Sequence, residues 1–440
     1  MCHFCENPVD LFPKQPIIGN IFKEEEREIN EGKYMDFKKF TKGSLAAVMA
    51  LSLAACGSSD TTSSSSSSSD DTSAAASSDK VVLKLGASGP LSGGAAVYGQ
   101  AVENAAKLAV AEVNELDGVG FEFKMEDDEH DTEKAVNAYG TLKDWGMQVA
   151  LGTVTSAPMA AVAPSYAEDQ IFALTPSASS LAAIYADSAN ATGAYGNVFQ
   201  MCFTDPNQGV ASADYISEHT DLGTKVAIIY KNDDNYSTGV YEKFTSEAEK
   251  VGLEIVYSGT FAGEDSDFSV QVQQAAAAGA DLVYLPIYYQ PASNILTEMN
   301  KQGYEATVFG IDGMDGILTM EGFDTSLAEG VYLLTPFSAD AEDEKTQAFV
   351  KAYEEAYGET PNQFAADAYD CVYALKQAAD AAGVTADMAV EDITAALVEQ
   401  FTSMTFDGVT GTSVTWSETG EVSKSPKAVI IQNGVYVSAD

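Results

Sequence analysis

Hydroxyl-bearing residues follow two short apolar segments of this chain, and tyrosines and one aspartate follow three others. Thr153, Thr155 and Ser156 come after Ala150-Leu151-Gly152 and just before Pro158, and Thr175-Pro176-Ser177-Ala178-Ser179-Ser180 repeats the arrangement one segment later. A proline in the first turn suits a helix start, and a helix start offers an anion both hydroxyls and unpaired N–H groups. Side by side, these two hydroxyl-rich helix starts read as a carboxylate cradle; taken singly, each segment reads better as a simple N-cap. Asn235-Tyr236 and Tyr288-Tyr289 follow two later apolar segments, and Gly310-Ile311-Asp312-Gly313 ends a third. Asp312, set among glycines, is either a turn-former or the partner of an ammonium group. Tyr98, Tyr236 and Tyr288 supply apolar walls with polar tips.

Other chemistries are poorly provided for. Beyond residue 34 the histidines are His130 and His219, and neither has metal-ligand spacing. There is no Gly-Lys-Ser/Thr phosphate loop and no Gly-x-Ser-x-Gly elbow. Glu126-Asp127-Asp128-Glu129 could mimic a cation site, but reads better as a strand end with Asp131 or Thr132 capping the next helix. Cys2-x-x-Cys5 has no second pair, while Cys202 and Cys371 could pair or remain free buried thiols. These residues point to a binding protein without cofactor or metal, and not to an enzyme.

Charge narrows the ligand further. The net charge of −43 argues against nucleic acid or an anionic membrane as partner. Arg27 is the single arginine, and it precedes Met35. Glu31-Gly32-Lys33 back-translates to a purine-rich GAR-GGN-AAR of the kind a ribosome-binding site carries, so residues 1–34 are expected to be leader from a start assigned too early. Residues 35–56 resemble a bacterial lipoprotein signal: Lys38, Lys39 and Lys42, then the apolar run Leu45–Ala55, then Cys56 as the lipidation site. A buried core helix is the alternative for that run, but the polar tract over 57–79, including Ser63–Ser69, reads as a flexible linker. The exported chain would then contain no arginine, and any carboxylate must be held without a guanidinium fork.

These candidate residues need a frame to hold them. Short apolar strands alternate with amphipathic helices from Lys80 onward: 81–85, 121–125, 148–151, 171–174 and 197–203, then 225–230, 254–260, 281–285, 307–311 and 331–335. On the first helix Val102, Ala105, Ala106, Ala109, Val113 and Leu116 share one face. Such alternation predicts parallel sheets wound with helices, two units in tandem. After Pro336 three helices, 342–357, 363–382 and 390–401, precede strand-like Val414-Thr415-Trp416 and 428–432. Open sheets of this kind bind ligands at the carboxyl ends of their strands, which is where the hydroxyls, tyrosines and Asp312 fall.

The ordered set Gly89-Pro90-Leu91-Ser92-Gly93, Tyr98-Gly99, Thr155-Ser156, Thr175-Pro176-Ser177-Ala178-Ser179, Tyr236, Tyr288, Gly310-Ile311-Asp312-Gly313 and Phe406-Asp407-Gly408-Val409-Thr410-Gly411 resembles the branched-chain amino-acid-binding proteins, solute receptors of ABC importers. The resemblance spans about 81–440 and implies a type I periplasmic-binding-protein fold. That fold comprises two doubly wound α/β lobes, 81–203 plus 337–405 and 204–336 plus 406–440, joined by three hinge crossings. It implies that Ser156 and Ser179 hold the ligand carboxylate, that the Ser177 carbonyl, Asp312 and Tyr236 take the ammonium, and that Tyr98, Thr153 and Tyr288 border the side-chain pocket. Together with the lipoprotein signal it implies a monomer tethered by lipid alone to the outer face of the bacterial cytoplasmic membrane, or periplasmic if two membranes are present, with a permease and ATPase as partners. Ser179 stands where threonine is common, and Asp312 where leucine-binding members carry glutamate, which points away from leucine itself. Other small solutes (an amide, a peptide fragment, an aromatic acid) and a ligand-sensing role remain open alternatives.

Overall fold

The computed structural model describes residues 80–439; the expected leader, the signal with Cys56 and the linker all lie outside them. The first sheet holds β1 (Val82–Gly89), β2 (Gly120–Asp127), β3 (Val149–Thr153), β4 (Phe172–Thr175) and, beyond a small hairpin of β5 (Tyr185–Asp187) and β6 (Thr192–Ala194), β7 (Val198–Gln200). Its order is β2-β1-β3-β4-β7, parallel throughout. The second sheet holds β8 (Lys225–Lys231), β9 (Glu254–Phe261), β10 (Leu282–Leu285), β11 (Thr307–Gly310), β12 (Tyr332–Thr335), β13 (Lys427–Gln432) and β14 (Val435–Ser438). Its order is β14-β13-β12-β11-β10-β8-β9, with only the β12–β13 and β13–β14 pairings antiparallel. The fold is α/β with two parallel-type sheets, as the alternation of the sequence requires. Every residue of β3, β4 and β10 is buried, the pattern of strands covered on both faces.

Ten helices among the described residues do the covering: α1 (Ala96–Glu115), α2 (Thr132–Trp145), α3 (Ser156–Glu168), α4 (Asp205–Glu218), α5 (Asn235–Val251), α6 (Ser269–Ala277), α7 (Tyr289–Gln302), α8 (Glu344–Tyr357), α9 (Gln363–Ala382) and α10 (Val390–Phe401). Of the predicted face of α1, Val102, Ala105, Ala106, Ala109 and Val113 are buried, and Ala106, Ala109 and Val113 share a core with Cys371, Val372, Leu375 and Ala379 of α9. Leu116 is 47% exposed instead, because the helix ends at Glu115 and the chain turns extended there. Asp131 caps α2 as expected, accepting from the N–H groups of Glu133 and Lys134 at 2.9 Å. Cys202 and Cys371 are buried, unpaired thiols.

The chain passes between the sheets three times: after β7, after β12 and before β13. The third passage differs from the division at residue 405. Phe406, Val414, Trp416 and Val422 pack with Leu83, Phe121 and Phe172 of the first sheet, and the Trp416 indole donates to the Gln200 carbonyl at 2.8 Å. Residues 406–422 thus belong with the first sheet, because their aromatic and β-branched side chains complete its core. Asp370 of α9 fixes this segment, accepting from the N–H groups of Val409 and Thr410 at 2.9 Å each. Gly408 is required there: a Cβ would lie 2.2 Å from the Asp370 carboxylate. Lys424, fully buried, pairs with Asp367 of α9 at 2.5 Å.

Candidate functional site

The carboxyl ends of the two sheets supply one small enclosed space. It is lined by Tyr98 on α1, Thr155 and Ser156 after β3, Ser177 and Ser179 after β4, Tyr236 after β8, Tyr288 after β10, Asp312 and Gly313 after β11, and Phe364 on α9. In each sheet this is where the strand order reverses, beside β1 and β3 and beside β8 and β10. Of the site residues read from sequence, Ser156, Ser177, Ser179, Tyr98, Tyr236, Tyr288 and Asp312 come together here. Thr153 does not line the space: it is wholly buried, donates to the Thr155 carbonyl at 3.2 Å and accepts at its own carbonyl from Thr175 Oγ1 at 2.7 Å. It braces the β3 end from behind.

The hydroxyl side differs in one respect from two matched helix starts. Ser156 opens the full helix α3, but the Ser177–Ser180 segment leads only into a single 3-10 turn, Leu181–Ala183, capped by Ser180. Its main chain is held instead by side chains. Gln200 Nε2 donates to the carbonyls of Ala178 and Ser180 at 2.7 and 3.2 Å, and the Ser179 carbonyl accepts from Asp205 N–H at 3.0 Å. Ser156 Oγ accepts from Ser180 N–H at 3.2 Å, which leaves its own proton to donate. The Ser177 hydroxyl donates to the Val154 carbonyl at 2.6 Å, so it has no proton left for a ligand and offers only acceptors.

Across the space, Asp312 is 5% exposed and starts a short 3-10 turn. Tyr236 OH donates to its Oδ1 at 2.5 Å and Gln208 Nε2 to its Oδ2 at 3.0 Å. Burial, opposed by these hydrogen bonds, pushes the Asp312 pKa up to about 7. The Tyr236 hydroxyl also accepts from Gly313 N–H at 2.9 Å. Position 313 must be glycine for that approach, since a Cβ would come within 2.6 Å of the hydroxyl. The Tyr98 hydroxyl donates to the Gly313 carbonyl and accepts from Tyr289 N–H at 3.2 Å. Tyr288 stacks on Tyr236 with centroids 5.0 Å apart and meets Tyr98 edge-on at 5.4 Å. No lysine or arginine lines the space.

Three contributors were not singled out from sequence. Gln208 sits four residues past the Thr204 cap of α4, where a glutamine looks like ordinary helix polarity. Phe364, 4.3 Å from Tyr98 by ring centroids, arrives from α9, some 266 positions along the chain. Asp205, the first residue of α4, is a second buried acid beside Ser179, and burial raises its pKa strongly. Among the described residues, no group of three or more His, Cys, Asp or Glu could hold a metal ion, and no helix is long and apolar enough to cross a membrane.

Hydroxyls and a helix start at the end of one sheet face a buried acid and tyrosines at the end of the other, and the two α/β halves that carry them have the architecture of a solute-binding protein. The chain belongs to the periplasmic binding protein family, whose model matches residues 82–432. A Leu/Ile/Val-binding protein homologue of Brucella abortus is 27% identical over 299 residues, covering 67% of this chain and 77% of the relative. The branched-chain amino acid substrate-binding protein LivJ of Streptococcus pneumoniae, solved with isoleucine, superposes with a TM-score of 0.71 at 26% identity, covering 81% of this chain and 98% of that one. A solute-binding protein of R. palustris, solved with benzoate, has the same fold, with a TM-score of 0.71 at 22% identity over 81% of this chain and 95% of its own. Family and fold alike are those of solute-binding proteins.

Proposed function

We propose that this chain is a lipid-anchored, extracytoplasmic receptor that holds a small amino acid between its two halves and delivers it to an ABC importer. The observation that supports this best is Asp312, a deeply buried carboxylate with no cation among the residues around it. An ionised carboxylate in that position is costly without a countercharge, and a ligand ammonium supplies one. Tyr236 has already oriented the carboxylate and keeps a lone pair for the same ammonium; the Ser177 carbonyl completes the acceptor set.

The ligand carboxylate then falls to the other side. Ser156 offers its hydroxyl proton and the N-terminus of α3, and Ser179 adds its hydroxyl and N–H. Tyr98, Tyr288 and Phe364 wall the side chain, with Thr153 supporting from behind. Motion about the three crossings would open and close the cleft, Cys56 would carry the lipid, and a permease–ATPase complex would receive the solute from a monomeric receptor. The Leu/Ile/Val-binding relatives favour an aliphatic class of ligand, while the shorter acid at Asp312 favours a departure from leucine.

A thermal-shift panel of amino acids and simple amides tests the reading. A ligand at 100 times its Kd adds about 2.7 kcal/mol of stability, a shift easily read. Silence across the whole panel would overturn the amino-acid assignment.

A further inference from the structure

Beside the inner space lies a larger chamber of about 300 Å³, between Glu129 and His130 of the β2–α2 turn and Lys231, Asp234, Glu264 and Asp265 of the second-sheet half. Tyr236 and Tyr288 line both cavities, so the thickness of one tyrosine pair separates them. A second link runs through His130, whose Nδ1 is 2.9 Å from Oγ1 of Thr155, a residue of the inner space. His130 also meets Tyr288 edge-on at 5.4 Å.

The chamber is acidic in a specific way. Glu129 is paired with Lys134 at 2.6 Å, which leaves Asp234, Glu264 and Asp265 facing the single ammonium of Lys231. Asp234 is only 5% exposed. Its Oδ1 accepts from Ser237 N–H at 2.9 Å to cap α5, while its Oδ2 accepts nothing from the protein. A buried carboxylate with one unused oxygen lining a cavity is a ready acceptor for a charged donor. Glu129 and His130 both hold left-handed backbone (φ 50° and 60°), and the Asp127 and Asp128 side chains fix that conformation by accepting their N–H groups at 3.0 Å. The wall bearing His130 is thus built into position.

We propose that this chamber is a second subsite, taking the distal ammonium of a diamino acid whose α-amino and α-carboxyl groups sit in the inner space. The inference rests on the amino-acid reading of that inner site and names its ligand class. The ligand then meets Asp312 at one end and Asp234, with Glu264 beside it, at the other.

Calorimetric titration of the purified protein with lysine and ornithine, against norleucine and norvaline, tests it. The diamino acids are expected to bind at least about tenfold more tightly than chains of equal length without the second amine. Asp234→Asn, which can still cap α5, and separately Glu264→Gln on the exposed rim, are each expected to cut that preference while leaving norleucine binding within about twofold. Glu264→Gln keeps the test open if Asp234→Asn fails to fold. Equal affinities for lysine and norleucine would overturn the subsite and leave the inner-site reading intact, as would a preference that survives both substitutions. Binding of none of the four would overturn the subsite, while the amino-acid reading of the inner space stands or falls with the full thermal-shift panel.

Discussion

Asp312 carries the electrostatic argument at the residue scale. Its pKa, raised to about 7 by burial, means that ammonium binding must be accompanied by loss of a proton at mildly acidic pH. Affinity is therefore expected to rise with pH up to about 7 and to level off above it, falling about tenfold per unit on the acid side. Titrations between pH 5 and 8 would check this; an affinity independent of pH would mean that the ligand does not use this carboxylate. Asp312→Asn keeps the Tyr236 and Gln208 neighbours but removes the charge, and is expected to cost about 3–5 kcal/mol of binding, roughly two to four decades in Kd. Residue type and spacing made Asp312, Tyr236, Tyr288 and the three serines legible, because each lies in the loop or helix start that follows a strand, whereas Tyr98, inside α1, was legible only from the Tyr98-Gly99 motif. Thr153 shares that spacing, but the inward turn of the last β3 residue hides it. Gln208 and Phe364 carry no local signal, since only the packing of α4 and α9 against distant strands brings them to the site.

Among elements, the attachment of residues 406–424 to α9 is the point where sequence and structure part. Strands buried on both faces and helices with one apolar face were readable from periodicity, and α9 and α10 run over the expected residues, 363–382 and 390–401. Which sheet a later segment joins depends on side chains such as Trp416 and Lys424, whose partners lie far away in sequence. The β5–β6 hairpin escaped for another reason: its residues are largely exposed, so no apolar alternation marks it. Lys424 offers a direct test of the attachment. Its removal in Lys424→Met leaves Asp367 buried without its countercharge, and urea unfolding is expected to show a loss of about 3–5 kcal/mol. A loss below about 1 kcal/mol would mean that the pair does not hold this segment to α9.

For the whole molecule, buried acids set an unusual response to pH. Burial raises Asp312 to about 7 and Asp128, Asp315 and Asp367 to about 6, above the ordinary aspartate value of 3.8. Between about pH 4 and 7 the folded chain therefore binds more protons than the unfolded chain, and its stability falls as pH rises through that window. Self-repulsion from a net charge of −43 at neutral pH acts in the same direction. Without ligand, the urea midpoint is expected to be higher near pH 5 than near pH 7.5; an opposite trend would contradict the burial of these carboxylates. Added ligand should offset part of the neutral-pH loss by supplying the charge that Asp312 lacks.

The proposed function requires a ligand ammonium at Asp312, between the two halves. Calorimetry with an amino acid that stabilises the protein, beside the same molecule without its α-amino group, tests it most directly. The deaminated acid is expected to bind at least about a hundredfold more weakly, a difference of about 2.7 kcal/mol or more. Equal binding of the two would contradict it and point instead to a receptor for simple carboxylic acids.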